Sequence, residues 1–360
     1  MPGLTELGWN ETWEPMAKEH RAQGFSIARV TEEHRGAYII RGEQYEVQAE
    51  VSGRLMFQAN DRFDYPAVGD WVAVTTYDDD SHATIHAMLP RKSVLQRKTP
   101  GKKLESQIIA ANIDYVFIVQ SLDQSFNPRR VERFLVVTRE SGARPVVLLS
   151  KKDLCPSDEL SGKQAEIAGF SEGVTVISYS IFDDGDIRLI QELVNPGTTF
   201  CLIGASGVGK STLINRLAGR EILATGEVRE YDAKGRHTTN HRELIVLEHG
   251  GILIDTPGIR ELGIWQISTG LEDTFDDIAE LAQDCYFTDC THTHEPGCAV
   301  KKAIDEGRID GARYESYVKL LREQKYQQER QSSTGVMKRR LQERKRSKEL
   351  KKILRRKGKK

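Results

Sequence analysis

The sequence GASGVGKS at residues 204–211 constrains the fold of this chain more than any other feature. It fits the pattern G-x-x-x-x-G-K-[ST], with the apolar run TTFCLI before it and the helical pattern STLINRL after it. Glycines at Gly204, Gly207 and Gly209 permit backbone conformations that side chains would obstruct. Loop N–H groups can then point inward at phosphate, aided by the N-terminus of the helix. The motif predicts a phosphate-binding loop between a strand and a helix of an α/β domain.

Each position of this phosphate loop has an expected role in binding a nucleotide triphosphate. The Lys210 ammonium should reach the β- and γ-phosphates, the Ser211 hydroxyl should coordinate Mg²⁺, and the Thr212 N–H should contact the α-phosphate. The remaining candidate contacts are backbone groups of the loop: Gly204, Ala205, Ser206, Gly207, Val208 and Gly209.

A second motif, DTPG at residues 255–258, follows the apolar run GGILI. The Asp255 carboxylate can hold Mg²⁺ through water, and Gly258 can donate its N–H to a γ-phosphate. The polar, glycine-containing segment between the two motifs is typical of a mobile switch loop. Within it, Thr238 or Thr239 could be a Mg²⁺ ligand when GTP is bound.

The sequence SKKD at residues 150–153 ends another apolar run, RPVVLL, and fits the [NTS]KxD pattern of guanine-binding loops. The Asp153 carboxylate can accept hydrogen bonds from guanine N1–H and N2–H₂, a donor pair that adenine lacks. The Lys151 methylenes can lie over the base, Lys152 occupies the variable position, and Ser150 stands where many GTPases have Asn. Backbone groups of ISYS, residues 177–180, could contact guanine O6.

The guanine-binding motif precedes the phosphate loop, although an ordinary GTPase has the reverse order. Apolar strands without alternation, separated by helices, predict a parallel sheet covered on both faces. Such a sheet tolerates re-ordering of the chain when the original termini lie close together. We therefore predict a circularly permuted P-loop GTPase domain over residues 96–262. The alternative is an unrelated SKKD in a lysine-rich protein.

The segments before this domain indicate a second, all-β unit. Residues 1–35 are polar and weakly patterned, and we interpret them as an N-terminal extension. Short β-like runs punctuated by Gly and Asp predict a small OB-fold β-barrel over residues 36–95. The stretch RKSVLQRKTPGKK after Pro90 is interpreted as a basic linker.

Three cysteines and two histidines cluster in CYFTDCTHTHEPGC. In a reducing compartment, this clustering favours a metal site over disulfides. The spacing C-x4-C-x-H-x5-C matches a closed structural Zn²⁺ site in a helical domain over residues 263–330. The predicted ligands are Cys285, Cys290, Cys298 and an imidazole, for which His292 and His294 compete. The isolated Cys155 and Cys201 are interpreted as small core residues.

The formal net charge of −1 conceals a basic tail, residues 331–360. From residue 338 onward this tail holds 14 Lys/Arg and 2 Glu, whereas the rest of the chain carries 38 basic and 51 acidic residues. A basic tail on an acidic body favours an RNA partner; a membrane surface and an inert solubilising role are the alternatives. No signal peptide or membrane-spanning run is visible, so we expect a cytoplasmic protein without a membrane partner.

Over roughly residues 36–330, the chain resembles the ribosome small subunit-dependent GTPase A family. The resemblance rests on the following sequences: VGDWV, SKKDL before GASGVGKST, GRHTTNHREL, DTPGIREL and CYFTDCTHTHEPGCAV. It implies an N-terminal OB domain, a permuted GTPase domain and a C-terminal zinc domain, with His292 as the fourth ligand. It also implies GTP hydrolysis stimulated by the small (30S) ribosomal subunit and its rRNA during late subunit maturation.

Many GTPases place a Gln after the DxxG glycine to orient the attacking water, but this chain has Ile259 there. We therefore expect a switch-loop residue to supply the polar group. His237 is the candidate catalytic residue, and His241 is a lesser one. The alternative function is a non-catalytic rRNA-binding assembly platform with a structural nucleotide. Nothing in the sequence requires more than a monomer.

Overall fold

The computed structural model describes six stretches of the chain: 3–34, 36–98, 106–223, 242–255, 269–288 and 290–331. Strands dominate residues 26–111, strands and helices alternate over residues 115–255, and helices form the C-terminal part. Among the described residues, no helix has the length and apolar character needed to cross a membrane.

Five strands near the N-terminus close into a barrel. They are β1 (Ser26–Glu33), β2 (Tyr38–Arg41), β3 (Glu46–Val51), β4 (Trp71–Tyr77) and β5 (His82–Met88). Their order is β1-β2-β3-β5-β4, and a β1–β4 pairing closes the ring. The β3–β5 pair is parallel, the other pairs are antiparallel, and a helix, α2 (Gly53–Gln58), lies between β3 and β4. This closed five-stranded barrel confirms the predicted OB-like domain.

The barrel begins earlier in the sequence than residue 36, because β1 lies within the segment that we interpreted as an extension. The two-residue alternation that marks a half-exposed strand is missing in β1, where residues 27–31 are all buried. This strand contacts β2 and β4 in the barrel and also β12 of the next domain. A strand covered on both faces gives no alternating signal, which explains the misplaced boundary.

Residues before β1 also belong to the folded body. A short helix, α1 (Glu14–Ala22), follows a turn that carries Trp9, and Trp9 packs edge-on against Trp71 of β4. The guanidinium of Arg29 in β1, which is 1% exposed, donates to the carbonyls of Leu7, Gly69 and Asn112. Burial lowers the pKa of Arg29 to about 10, although Asp114 and Asp70 oppose this shift.

The predicted basic linker contains secondary structure. Strand β6 (Val94–Lys98) lies within it and pairs antiparallel with β7 (Ser106–Ala111), which follows it; this pair is separate from the main sheet. Leu95, Ile109 and Ala110 are buried in the core that the barrel shares with the next domain. The interpretation of this stretch as a linker was wrong because its apolar residues are interleaved with lysines and arginines.

The described residues of the central domain form a sheet of six strands. Its strands are β8 (Tyr115–Ser121), β9 (Arg144–Ser150), β10 (Thr175–Ser178), β11 (Thr199–Ile203), β12 (Arg242–Val246) and β13 (Ile252–Asp255). The order is β10-β9-β8-β11-β13-β12, with β12 antiparallel to β13 and every other neighbouring pair parallel. Burial of β8, β9 and β11 along most of their length reflects helices on both faces of the sheet.

The helices that cover the sheet are α3 (Pro128–Glu140), α4 (Ser157–Ala168), α5 (Asp184–Gln191) and α6 (Lys210–Ala218). Two apolar clusters lie on its opposite faces, one containing Ile118 and Val147 and the other Phe117 and Leu148. Cys201 is buried in the first cluster and Cys155 packs against it, as expected for core cysteines. Burial raises the pKa of the Cys201 thiol to about 12.

The barrel and the central sheet are hydrogen-bonded to each other. Strand β12 pairs with β1 through Glu243 opposite Glu32 and Arg242 opposite Glu33. The two units therefore share one continuous sheet of eleven strands. The short pairing fixes the barrel at the strand that follows the switch segment of the sequence.

In the part of the C-terminal unit that the structure describes, residues 269–288 and 290–331, there are four helices: α7 (Thr269–Thr274), α8 (Asp276–Gln283), α9 (Ala299–Asp305) and α10 (Gly311–Gln331). Their core includes Phe275 and Val300 and extends to Val136 on α3. The Arg313 guanidinium of α10 donates to Asp277 and to the buried Glu132 of α3, at 2.7 and 2.8 Å. Apolar packing and this buried ion pair together hold the C-terminal helices against the central domain.

Candidate nucleotide and metal sites

The phosphate loop joins β11 to α6, in the strand–loop–helix context that the sequence predicts. Gly204 has φ +151°, and a Cβ atom there would lie 2.3 Å from the Val119 carbonyl oxygen. Gly209, the residue before the helix, has φ +96°. Both positions require glycine, because a side chain would clash or would strain the backbone.

The Lys210 ammonium extends back over this loop. It donates to the carbonyls of Gly204 and Ala205 at 2.9 and 2.6 Å. The backbone N–H groups of Ser211 and Thr212 belong to the first turn of α6, where no intrahelical acceptor exists for them. The loop thus presents one cation and a set of N–H donors to the same space, which is the arrangement that binds a polyphosphate.

Ser150 joins the guanine-binding loop, residues 150–153, to the phosphate loop. Its hydroxyl donates to the Val208 carbonyl at 2.7 Å, and both residues are buried. Serine is shorter than the Asn that many GTPases have at this position, but its hydroxyl still bridges the two loops. Residues 58 positions apart in the sequence are in direct contact, so the early motif lies beside the phosphate loop.

Asp153 and Lys151 are each held by a neighbouring loop. Asp153 is exposed, and its Oδ1 accepts a hydrogen bond from the Ser180 hydroxyl at 2.7 Å. Lys151 has φ +60°, and its ammonium donates to Asp123 Oδ2 at 2.7 Å. The pKa of Asp123 lies well below its usual range: burial opposes the charged form, but hydrogen bonds from Lys151 and Ser125 outweigh it.

Two acidic residues support the guanine-binding loop, Asp123 and Asp186, and neither was predicted from the sequence. Asp186 in α5 accepts hydrogen bonds from the Lys152 ammonium and from the Ser180 backbone N–H. Both acids occur in segments rich in Asp and Ser, where the sequence gives no sign of burial. A lysine at the variable position of the motif was the one available signal that a nearby carboxylate exists.

Asp255 lies where the sequence motif predicts. It ends β13, which runs parallel to β11, so its carboxylate occupies the same edge of the sheet as the phosphate loop. Asp255 is half-buried and pairs in register with Glu243 of β12. The other switch candidates lie outside the described residues: His237, Thr238, Thr239, His241, Gly258 and Ile259.

The cysteine–histidine cluster forms a compact donor set. One ligand atom from each of Cys285, Cys290, His292 and Cys298 lies within 4.8 Å of all the others. The Cys285–Cys298 Sγ distance is 3.8 Å, and His292 Nδ1 lies 3.5 Å from each of these sulfurs. A tetrahedron with Zn–S bonds of about 2.3 Å and Zn–N bonds of about 2.0 Å has edges of about 3.8 and 3.5 Å. The residues present therefore fit a tetrahedral zinc ion.

His292, rather than His294, contributes to this cluster. His292 is buried with φ +60°, whereas His294 is exposed. The Tyr314 hydroxyl donates to the His292 carbonyl, which anchors the loop to α10. Burial lowers the pKa of His292, although Glu295 opposes the shift, and the neutral imidazole is the form that binds metal.

The fold and the phosphate loop define the class of this protein as a P-loop GTPase whose domain is circularly permuted. The family model described as RsgA GTPase matches residues 88–265. The chain belongs to the RsgA GTPase family, and its enzymatic activity is the hydrolysis of GTP. The order of motifs, the barrel and the cysteine cluster all agree with this assignment.

Similar proteins cover most of the chain. The "Small ribosomal subunit biogenesis GTPase RsgA" of Opitutus terrae is 42% identical over 332 residues, 90% of each chain. RsgA 2 of Lactiplantibacillus plantarum is 45% identical over 307 residues, 85% of this chain and 86% of the relative. The solved structure of YjeQ from Thermotoga maritima has a TM-score of 0.61 and 25% identity, covering 83% of this chain and 98% of that one. YloQ, a circularly permuted GTPase, shares the fold with a TM-score of 0.58.

Proposed function

We propose that this GTPase acts in the maturation of the small ribosomal subunit in the cytoplasm, and that the subunit stimulates its hydrolysis of GTP. The main support for a GTP-binding site is the hydrogen bond between Ser150 and Val208, because it joins the guanine-binding loop to the phosphate loop. The ribosomal role is supported by the names of relatives that match most of the chain.

Binding of GTP divides between the two loops. Asp153 accepts hydrogen bonds from guanine N1–H and N2–H₂, and Lys151 lies along the base. On binding, the Lys210 ammonium exchanges its carbonyl acceptors for the β- and γ-phosphates. A hydrogen bond from a cation to a charged phosphate oxygen is stronger than one to a neutral carbonyl. Ser211 and Asp255 would hold Mg²⁺, and Thr238 or Thr239 together with Gly258 would complete the switch contacts. When bound, Mg²⁺ would neutralise charge on the β- and γ-phosphates.

Hydrolysis needs a group that orients water, because Ile259 cannot form a hydrogen bond to it. We assign this role to His237, which stands in the switch segment immediately before Thr238 and Thr239. Positioning and charge stabilisation supply most of the catalysis in phosphoryl transfer. Slow turnover by the free protein and fast turnover on the subunit follow if contact with the subunit sets His237 against the attacking water.

The zinc cluster and the basic tail serve binding rather than chemistry. Three thiolates and one imidazole close a tetrahedron, which leaves no position for a reacting water. A zinc ion held by Cys285, Cys290, His292 and Cys298 would stabilise the C-terminal helices. The tail from residue 331 can contact rRNA phosphates, with an affinity that falls steeply as salt rises. A monomer suffices for each of these roles.

The decisive experiment measures GTP turnover with and without purified small ribosomal subunits. ATP turnover is the control for selectivity towards the guanine base. We expect strong stimulation for the wild-type protein, and its loss in His237→Ala with little change in GDP affinity. His241→Ala is the matched control and should retain stimulation. Absence of stimulation in the wild type would favour a binding platform, and full stimulation of His237→Ala would remove that residue from the mechanism.

Two further measurements test the binding roles. Exchange of Asp153→Asn should shift preference from GTP towards xanthosine triphosphate, because the amide complements the xanthine edge; unchanged selectivity would contradict base recognition by Asp153. Deletion of residues 336–360 should weaken subunit binding and flatten its dependence on salt. A deletion variant with the same salt dependence would contradict RNA binding by the tail.

A further inference from the structure

Asp186 is a buried acid beside the guanine-binding loop to which the steps of the proposed function assign no role. It lies in the first turn of α5, and 8% of its surface is exposed. Asp183 caps this helix by accepting hydrogen bonds from the N–H groups of Gly185 and Asp186. The cap fixes the helix start, so the Asp186 carboxylate has a defined direction towards the end of β10.

The Asp186 carboxylate contacts both loops that surround the base site. The Lys152 ammonium donates to its two oxygens at 2.9 and 3.0 Å. The Ser180 backbone N–H donates to Oδ2 at 2.9 Å. The Lys152 N–H also donates to the Tyr179 carbonyl at 3.1 Å, so the two loops are linked twice.

The contact with Ser180 reaches the base-binding carboxylate itself. The Ser180 hydroxyl, on a residue 7% exposed, donates to Asp153 Oδ1. Asp153 is exposed, and this hydrogen bond holds its Oδ1. The position of Ser180 therefore decides where the Asp153 oxygens lie. Asp186 in turn holds the Ser180 backbone by a charge-assisted hydrogen bond.

We infer that Asp186 is a positioning residue that sets the selectivity for guanine by holding Ser180 and Lys152 around Asp153. This inference rests on the proposed recognition of the base by Asp153. A buried carboxylate is costly unless it is paired and hydrogen-bonded, and the Lys152 ammonium and the Ser180 N–H meet that requirement. Both oxygens of the Asp186 carboxylate therefore have hydrogen-bond donors, and such a buried polar network favours a single geometry of the two loops.

Displacement of Asp153 should change the balance between two guanine contacts. Guanine offers N1–H and N2–H₂, whereas hypoxanthine offers N1–H alone. A well-placed carboxylate uses both donors, and a displaced one keeps a single bond. The ratio of GDP to IDP affinity therefore reports the position of Asp153, whereas contacts to the sugar and phosphates cancel in it.

The test uses the full chain with Asp186→Asn and measures the affinities for GDP and IDP by titration. We expect the GDP-to-IDP ratio to fall about tenfold, the effect of weakening one charged hydrogen bond. Asp184→Asn is the matched control, because that carboxylate lies two positions earlier, is exposed and pairs with Arg216. An unchanged ratio in Asp186→Asn, or an equal fall in Asp184→Asn, would overturn the inference.

A double-mutant cycle with Ser180→Ala separates positioning from general damage. If Asp186 acts through Ser180, the double variant should have the same GDP-to-IDP ratio as Ser180→Ala alone. Additive losses would show that Asp186 acts by another route. If Asp186→Asn is not obtained in folded form, Lys152→Met removes the other partner at a half-exposed site. There the ratio should fall about threefold, and an unchanged ratio would reject the inference.

Failure of this inference can be distinguished from failure of the proposed base recognition. Asp153→Asn tests the latter through its preference for xanthine over guanine nucleotides. A shift in Asp153→Asn with no effect of Asp186→Asn rejects the positioning role alone. No shift in Asp153→Asn rejects base recognition by Asp153, and with it the inference.

Discussion

Arg242 Nη1 lies 2.7 Å from Glu33 Oε2, across the pairing of β12 with β1. The same guanidinium donates to the Ile108 carbonyl at 2.8 Å. One side chain on the first residue of β12 thus contacts the barrel and the β6–β7 pair. Arg242 is the first described residue after the switch segment of the sequence, so these contacts hold the start of β12 against the barrel.

Replacement of Arg242→Met should weaken the attachment of the barrel to the central sheet. The pair is mostly buried, so the loss leaves Glu33 without its cation and costs about 2 kcal/mol. Urea unfolding measures this change. Arg41→Met, which breaks the Arg41–Glu46 pair within the barrel, is the control and should cost less than about 1 kcal/mol. Equal losses in the two variants would contradict a joining role for Arg242.

Replacement of Ser150→Ala should reduce nucleotide affinity as well as stability. The change leaves the buried Val208 carbonyl without its donor, which costs about 1–2 kcal/mol and frees the two loops from each other. GDP titration and urea unfolding report the two effects. Ser171→Ala is the matched control, since Ser171 is equally buried and donates to the Ile167 carbonyl away from the site. It should lose stability with GDP affinity intact; weaker GDP binding there would refute the assignment.

Replacement of Gly204→Ala should abolish nucleotide binding. The new Cβ would lie 2.3 Å from the Val119 carbonyl oxygen, so the loop must move away from β8. Gly162→Ala is the control: outside its own helical turn and chain neighbours, no atom lies within 4 Å of its Cβ position in α4, and alanine should stabilise the helix by about 0.5–1 kcal/mol. Normal GDP binding by Gly204→Ala would show that the loop tolerates a side chain.

Loss of the metal should loosen the C-terminal helices before the central sheet. Zinc content should be one ion per chain in the wild type, close to zero in Cys298→Ser, and unchanged in Cys155→Ser. Hydrogen exchange should then speed up in residues 290–331 and not in β8 or β9. His292→Ala should behave like Cys298→Ser, whereas His294→Ala should keep its zinc. Full zinc content in His292→Ala would disprove this ligand set.

The stability that Asp123 provides should depend on pH. Its folded-state pKa lies below the unfolded value of about 4, so its contribution is present above that pH and is lost as the pH falls through the folded pKa. Asp123→Asn should therefore cost about 1 kcal/mol at neutral pH and progressively less in acid. Asp79→Asn, at an exposed turn of the barrel, controls for general acid unfolding. A difference between Asp123→Asn and wild type that is independent of pH would contradict this ion pair.

Much of this architecture could be predicted because it rests on local signals. Continuous apolar runs gave the parallel strands, and the phosphate loop fixed the strand–helix junction at Gly204 and Lys210. The guanine-binding motif at Ser150 and Asp153 was predictable because strand ends meet at one edge of a sheet, whatever their order. The cysteine spacing predicted the compact donor set, but spacing alone could not distinguish His292 from His294. The family resemblance favours His292, and its burial agrees with that choice.

Features that depend on tertiary contacts were missed. Strand β1 lacks alternation because it is covered on both sides, so the barrel boundary was placed too late. Asp186 resembles the solvent-exposed acids beside it in the sequence DDGD, and only the approach of Lys152 and Ser180 makes it a buried group. Arg29 gave no sign in the sequence that its guanidinium would be enclosed by backbone carbonyls.

The permuted order has a consequence for the growing chain during translation. Strands β8 to β10 and the guanine-binding loop are complete by residue 178, before β11 and the phosphate loop have been made. A nascent chain of that length can form the guanine-binding half of the nucleotide pocket, but it lacks the loop that binds the triphosphate. Because N-terminal units tend to fold first, ligand-assisted closure of the sheet must wait until α6 has emerged at residue 218.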